Sequence, residues 1–467
     1  MGWKVREVRA EMGPLLRLAL PLVLGELGWV AMSVVDTVMV GRLPHSAVAM
    51  AAASLAQVLF NVFVFGLAGV LLGLDPLIAQ AFGARQVGEA NRWLVHGLVM
   101  AVALAALLTG IFVAGPVLLG RLPVEADVLA QAVPAMRGLN YGVLPLMLYF
   151  TLRRYLQGAH HTRPIAYALV SANAINAAGD WLLIFGHRWV VAGRVVAIPA
   201  FGVTGSSWAT SFSRLYLMLF VLAAVWLADR KHGYGLRRVS RRIEFAHMRE
   251  LLRIGAPASA SVMAEIGIFA LVTTLIATLG PLPLAGHEVA LQCASTTFMV
   301  PFAISAATSV RVGHHLGRLR AGIGTAAEAV AAGWAGIVAG ASAMLFCSVF
   351  FVSVPAQIAR LFTPDRAVIA AAVPLLLIAA GFQFFDGIQI NATGALRGAG
   401  NTTAPLYTQL VCYWCVGMPV GAWLGFRAHL GAAGLWLGLL MALTGAAVVL
   451  VWVWRRTARG FAVVGGL

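Results

Sequence analysis

The sequence predicts an all-α polytopic membrane protein with twelve transmembrane helices in two pseudo-symmetric six-helix lobes. Three observations lead there. Of the 467 residues 61% are hydrophobic and only 11% charged, and the mean hydropathy is +0.88, far outside the composition of soluble domains. Apolar segments of about 20 to 28 residues, long enough to cross a bilayer, follow one another with short connections. Landmarks also recur at one constant offset, so that Glu26 meets Glu265, Gly41 meets Gly280 and Pro44 meets Pro283.

The apolar segments fall at residues 15–40, 48–74, 93–115, 132–157, 164–186, 200–228, 251–280, 285–312, 325–352, 367–396, 405–425 and 431–454. The first follows Lys4, Arg6 and Arg9 as a signal peptide would, but Glu26 interrupts it and it runs on to Val40, so it reads as a retained span. Asp75, beside Pro76 at the end of the second, reads as a capping or loop contact. The fourth ends in RRYLQG at Gly158 and the tenth in GALRG at Gly398, a second sign of a repeat. Pro21, Pro145, Pro301 and Pro374 lie inside spans and are expected to kink them, and 50 glycines permit close helix contact.

Between the sixth and seventh segments the chain carries Arg230, Lys231, Arg237, Arg238, Arg241, Arg242 and Arg249, which marks residues 229–250 as a basic linker dividing lobes 1–228 and 251–467. Most of the 33 lysines and arginines sit in alternate short loops, on the side that also holds both termini. By the positive-inside rule both termini are cytoplasmic, and a multi-pass protein of a bacterial inner membrane is expected. That scatter explains the net charge of +16 better than nucleic acid does, so no nucleic acid partner is expected. Arg214, inside the sixth segment, is the exception. Cys412 and Cys415 form a CxxC without the βαβ setting of a redox motif, and read as packing.

Acids inside apolar segments are the functional signal, because a carboxylate at mid-membrane costs about 2.5 to 3.5 kcal/mol and is kept where it handles an ion or proton. On a helix Gln383, Asp386, Gln389, Thr393 and Arg397 fall within about 120° of one another, a polar stripe on an apolar rod. Glu265 is the lone charge of SASVMAEIGIFALVTTLIATLG, with Ser261 one turn before it, and is the natural partner of Asp386. Together they can exchange a proton or hold Na⁺ as a metal site. In the first lobe Asp36 joins Asn173, Asn176 and Asp180, the last three within about 60° on one helix face. This cluster is an equal candidate for coupling, and a satisfied structural network is the competing reading. Glu26 enters only through its equivalence to Glu265.

The pairs His160, His161 and His314, His315 read as interfacial rather than metal-binding. No lysine follows a GxxxxG, so ATP hydrolysis is excluded, and no hydrolase or metalloprotease motif is present. The chain is not expected to be an enzyme or to hold a cofactor. Its energy is expected from an ion gradient.

LALPLVLGELGWVAMSVVDTVMVGRL, SVRVGHHLG and FQFFDGIQINATGALRGAGNT resemble the multidrug and toxic compound extrusion (MATE) family, most closely its NorM-like branch, over nearly the whole chain. The resemblance implies a Na⁺- or H⁺-coupled antiporter that expels organic, often cationic, drugs, working as a monomer among membrane lipids. Carried over residue by residue, the second-lobe cation acids fall on Glu265 and Asp386, and the first-lobe network on Asp36, Asn176 and Asp180, with Thr210 as a further member. Asp180 stands where that branch often has Asn, and in having Asp here the chain is more similar to the proton-coupled archaeal members. The branch therefore favours Na⁺ and Asp180 favours H⁺, with the balance slightly toward Na⁺. The alternative is a lipid-carrier flippase, which needs a cationic cavity, whereas these spans carry acids.

Overall fold

A computed structural model of the chain describes residues 5–44, 46–119, 125–191, 194–240 and 242–464; Lys4 and Arg241 of the basic clusters lie outside them. The architecture is almost wholly helical. Among the described residues eleven helices are long and apolar enough to cross a membrane, including Val5–Val40, Arg163–Phe185, Gly202–His232, Phe245–Ala277, Pro281–Arg320 and Arg366–Gly398. They are numbered as spans one, five, six, seven, eight and ten.

The fourth predicted span is present but broken into two pieces, each too short to cross a membrane alone, which is why eleven rather than twelve spans are seen among the described residues. It runs as Ala126–Asn140 and Val143–Gly158, interrupted at Tyr141 and Gly142. Pro145 supplies the reason: it has no N–H for the Tyr141 carbonyl four residues back, and its ring crowds that carbonyl. The same chemistry acts in span two, where Ser46–Ala68 passes through a 3₁₀ turn at Gly69–Gly73 before Leu74–Gly83 resumes with Pro76 inside it. Span eleven, Thr403–Arg427, contains π-helical turns at Leu410–Gly417 and Trp423–Arg427. Its Gly417 and Gly421 lie against span twelve, Gly431–Val464, so closely that a Cβ on Gly438 would meet the Gly417 carbonyl oxygen at 2.5 Å.

Two features add to the expected all-α picture. A two-stranded antiparallel hairpin, His187–Val191 with Arg194–Ile198, joins spans five and six, entered through Gly186 at φ +66°. Its β-branched Val190, Val191, Val195, Val196 and Ile198 suit a strand and were too few to register as a span. Several helices on the basic side are also longer than a bilayer's hydrocarbon core requires. Span six continues to His232 and span seven begins at Phe245, so only a short stretch of the basic segment is non-helical. That stretch is fastened to span three, Val87–Leu119: the Asn91 amide donates to the Tyr234 carbonyl (2.8 Å), His96 Nε2 accepts from the Glu244 N–H (2.9 Å), and His247 meets Glu89 (2.9 Å).

The chain falls into two compact units. One comprises Leu24–Leu74 and Val87–Leu251; the other comprises Leu252–Leu467 together with Met1–Val23 and Asp75–Gln86. Specific contacts hold the two early pieces in the second unit. Glu11 receives Arg311 through two nitrogens (2.6 and 3.1 Å) and His315 at 3.0 Å, while Asp75 pairs with buried Arg397 (3.3 Å) and Gln80 donates to the Gly398 carbonyl (3.0 Å). Asp75 is thus half of a buried ion pair rather than a cap. A Cβ on Gly83 would sit 2.8 Å from the His314 carbonyl carbon, and one on Gly317 would sit 2.8 Å from that of Gln80. The spacing from Gln80 to His314 equals that from Gly83 to Gly317, so this glycine crossing is itself a local two-fold, a repeat signature written in packing.

Candidate functional site

The first-lobe acids meet at the crossing of spans one, five and six. Asn176, fully buried, reaches from span five, and its Nδ2 donates to Asp36 Oδ1 (2.5 Å) and to Asp180 Oδ2 (3.0 Å), one turn on along the same helix. From span six Thr210 Oγ1 donates to Asp36 Oδ2 (3.4 Å) and also to the Ser206 carbonyl (3.0 Å). Asp36 is half-buried and Asp180 is 0% exposed. Glycines let the helices come this close: a Cβ on Gly179 would meet Ala209 Cβ at 3.0 Å.

Asn173 shares the helix face but not the cluster. Its amide donates to the Leu169 carbonyl of its own helix at 2.8 Å. Glu26 is also elsewhere, in a buried ion pair with Arg153 of the broken fourth span. Its equivalence to Glu265 in the repeat is therefore one of position only, since Glu265 has amides and an acid for company. Arg214 lies one turn beyond Thr210, 2% exposed, with its guanidinium stacked over the Phe60 ring at 4.1 Å and its Nε and Nη1 without hydrogen-bond partners.

In the second lobe Gln389 is the hinge of the site. Its Nε2 donates to Glu265 Oε1 (3.3 Å) and to Asp386 Oδ1 (3.4 Å), tying spans seven and ten together. Gln409 of span eleven donates to Glu265 Oε2 (3.4 Å) and accepts from Ser261, which places Ser261 beside the acid through an amide rather than directly. Gln383 turns away to Thr297 of span eight (2.5 Å), and Arg397 at the foot of the stripe is taken by Asp75. The 120° stripe is thus divided among different partners. Gln409 and Thr297 escaped the sequence reading; a lone amide in an apolar run was the available signal for Gln409, and nothing marked Thr297.

Nearby, His287 is buried in a satisfied chain. Trp436 Nε1 donates to its Nδ1 (3.0 Å), which leaves Nε2 to carry the proton and donate to Thr273 Oγ1 (2.8 Å), whose hydroxyl in turn donates to the Phe269 carbonyl (3.0 Å). The interfacial histidines are likewise in use. His161 Nε2 meets the Tyr234 hydroxyl (2.9 Å), and burial, with His232 and Lys231 close by, holds its imidazole below the usual range. Among the described residues no three His, Cys, Asp or Glu side chains form a metal cluster. A small cation in the second lobe would draw its remaining oxygens from Gln389 or the backbone.

Two acid clusters, each cross-linking three helices through amides and hydroxyls, now stand beside the sequence profile of the MatE family, which matches residues 21–182 and 257–423. The chain belongs to the MatE family. Among curated MatE relatives, Multidrug resistance protein PmpM of Pseudomonas aeruginosa is 33% identical over 97% of this chain and 93% of its own length. Probable multidrug resistance protein NorM of Bradyrhizobium diazoefficiens is 35% identical over 95% and 93%. Among solved structures, the eukaryotic MATE transporter AtDTX14 superposes with a TM-score of 0.84 at 20% identity, covering 98% of this chain and 99% of that one. A multidrug resistance MATE family transporter described in an outward-facing conformation gives 0.84 at 20% identity, covering 98% of each. The fold is shared with both.

Proposed function

We propose that this multi-pass membrane protein is a secondary active antiporter that exports amphipathic organic cations in exchange for an inward-moving ion. The observation that carries the reading is the pairing of acids at membrane depth, Asp36 with Asp180 and Glu265 with Asp386, in helices that are otherwise apolar. Such acids attract cations into an apolar cavity, and they release their own ion when the organic cation arrives. The names of the curated relatives, multidrug resistance proteins all, support the same substrate class. A flippase for an anionic lipid carrier is disfavoured by these acids. The inner membrane of a bacterium, with both termini cytoplasmic, is the proposed location.

For the coupling ion the geometry moves the preference from Na⁺ to H⁺ at the first lobe. Two carboxyl groups that share one amide donor repel each other when both are ionised, and a single proton between them relieves this. Binding the proton and binding the drug then favour different conformations, which is the requirement for exchange. One observation keeps Na⁺ as a second reading: Gln389 Oε1 is buried without a partner, and rotating that amide would present it as a third oxygen beside Glu265 and Asp386.

Proteoliposomes decide between them. Ethidium exchange is measured with an imposed pH gradient in Na⁺-free buffer, then with a Na⁺ gradient at equal pH, on wild type, Asp180→Asn and Glu265→Gln. Exchange driven by pH and lost in Asp180→Asn is expected. Exchange driven by Na⁺ alone and lost only in Glu265→Gln would transfer coupling to the second lobe, and no ethidium movement under either gradient would end the efflux reading.

A further inference from the structure

Arg214 is a buried charge for which the exchange scheme above has no use. It lies one helical turn from Thr210, whose hydroxyl reaches Asp36, and the room for it is built into the backbone of a neighbouring span. A Cβ on Gly142, at the break in span four, would lie 2.9 Å from Arg214 Cδ, so the interruption and its glycine leave the room the side chain occupies. Phe60 of span two covers the guanidinium face. Two of its nitrogens have no hydrogen-bond partner, so what compensates the charge is the field of nearby acids rather than a direct ion pair.

Other ionisable groups on the surrounding helices are few. Ser46–Ala68 of span two contains none. Span one offers Asp36 and Glu26, and Glu26 is held by Arg153 of span four. Span four also bears Arg137, exposed, and Tyr149 and Arg154, while Asp180 is the acid of span five nearest the cluster. On span six itself Tyr216 bonds Ser171 at 2.9 Å. The local balance is therefore two carboxyls against one guanidinium.

We propose that Arg214 is a fixed counter-charge that limits the loaded Asp36 and Asp180 pair to one bound proton, traded for one monovalent organic cation. The charge count follows from the residues. With one proton on the acid pair, the pair carries a single negative charge and Arg214 a single positive one, so the loaded site is neutral. When the organic cation enters, that proton leaves; the pair then carries two negative charges, balanced by Arg214 and the drug, and the site is neutral again. Both states of the cycle avoid net charge in a low-dielectric interior, where it is most costly. Without Arg214 the neutral ion-loaded state would need two protons. Arg214 touches neither ion nor drug in this scheme and acts through the acids, as a positioning residue. The inference rests on the antiport reading and adds the number of protons its loaded site holds.

The test counts protons. Purified full-length protein in nanodiscs, in Na⁺-free and weakly buffered solution with a pH indicator, is titrated with tetraphenylphosphonium while bound cation is measured separately. Wild type is expected to release at most one proton per cation bound. In Arg214→Gln a neutral drug-bound site keeps one of its two protons, so the count is expected to stay near one, while the midpoint of release is expected to move to higher pH by about one to two units, the effect of removing a nearby unit charge at an effective dielectric of about 20. Arg214→Lys keeps the charge and is expected to keep the wild-type profile. Two protons per cation in wild type overturns the proposal without any variant, and so does an Arg214→Gln profile that superimposes on wild type. If wild type binds the cation but releases no proton, the first-lobe proton assignment falls and this proposal with it, while antiport driven by Na⁺ stands. If it binds no organic cation at all, the functional reading itself has failed.

Discussion

Replacing Gly317 by alanine tests the glycine crossing that holds Asp75–Gln86 in the second unit. The added Cβ would lie 2.8 Å from the Gln80 carbonyl carbon and 2.9 Å from the Ala84 nitrogen, against 3.4 to 4 Å for ordinary contact. The deficit is about half an ångström at each atom, and more at the Gln80 carbonyl oxygen. All three are main-chain atoms, so no side chain can rotate away and the two helices must separate. Overpacking of this kind costs about 1 to 3 kcal/mol, partly offset by the gain of about 0.5 to 1 kcal/mol from alanine over glycine in a helix. A net loss of about 1 to 2 kcal/mol is expected. Gly110→Ala is the control, because nothing lies within 4 Å of its Cβ position. Thermal unfolding in detergent, followed by fluorescence-detected size exclusion, reads the difference. The paired variant Gly83→Ala with Gly317→Ala should lose less than the sum of the single losses, since separating the helices once relieves both contacts. A Gly317→Ala protein that melts at or above Gly110→Ala would refute the crossing as a tight backbone contact.

Two further outcomes follow from the sites. Gln389→Leu removes the amide that bridges Glu265 and Asp386; ethidium exchange is expected to fall at least tenfold while the protein still elutes as a folded monodisperse peak, and unchanged exchange would remove the second-lobe bridge from the mechanism. His161, held below its usual range, binds a proton less readily folded than unfolded, so the stability it lends is complete above about pH 6.5 and is lost as the pH falls below that value. Limited trypsin cleavage at Arg237 and Arg238 should accordingly quicken in mildly acidic buffer and lose that pH dependence in His161→Gln; equal pH dependence in both proteins would sink the assignment.

What could be read from the chain alone was whatever a bilayer imposes locally. Apolar runs of sufficient length become helices because the backbone has no other hydrogen-bond partner in lipid, and this needs no knowledge of neighbours. The cost of a buried carboxylate is equally local, so Asp36, Asp180, Glu265 and Asp386 stood out in the sequence, whereas of the four in-span prolines only Pro145 lies beside a helix break and Pro21, Pro301 and Pro374 lie in uninterrupted helices. The family likewise followed from contiguous motifs. Tertiary packing decided who meets whom. Asn173 and Asn176 share a helix face, yet only Asn176 lies where span one crosses, so one amide bridges two acids and the other returns to its own backbone. Glu26 and Glu265 occupy equivalent places in the repeat, but one faces Arg153 and the other Gln389 and Gln409. Asp75 found Arg397 far along the chain, and Arg214 came to rest one turn from the site under Phe60. Helical periodicity sets a direction about one axis, whereas a partner depends on the position of a second axis, and that is fixed by close-packed glycines and side chains distant in sequence.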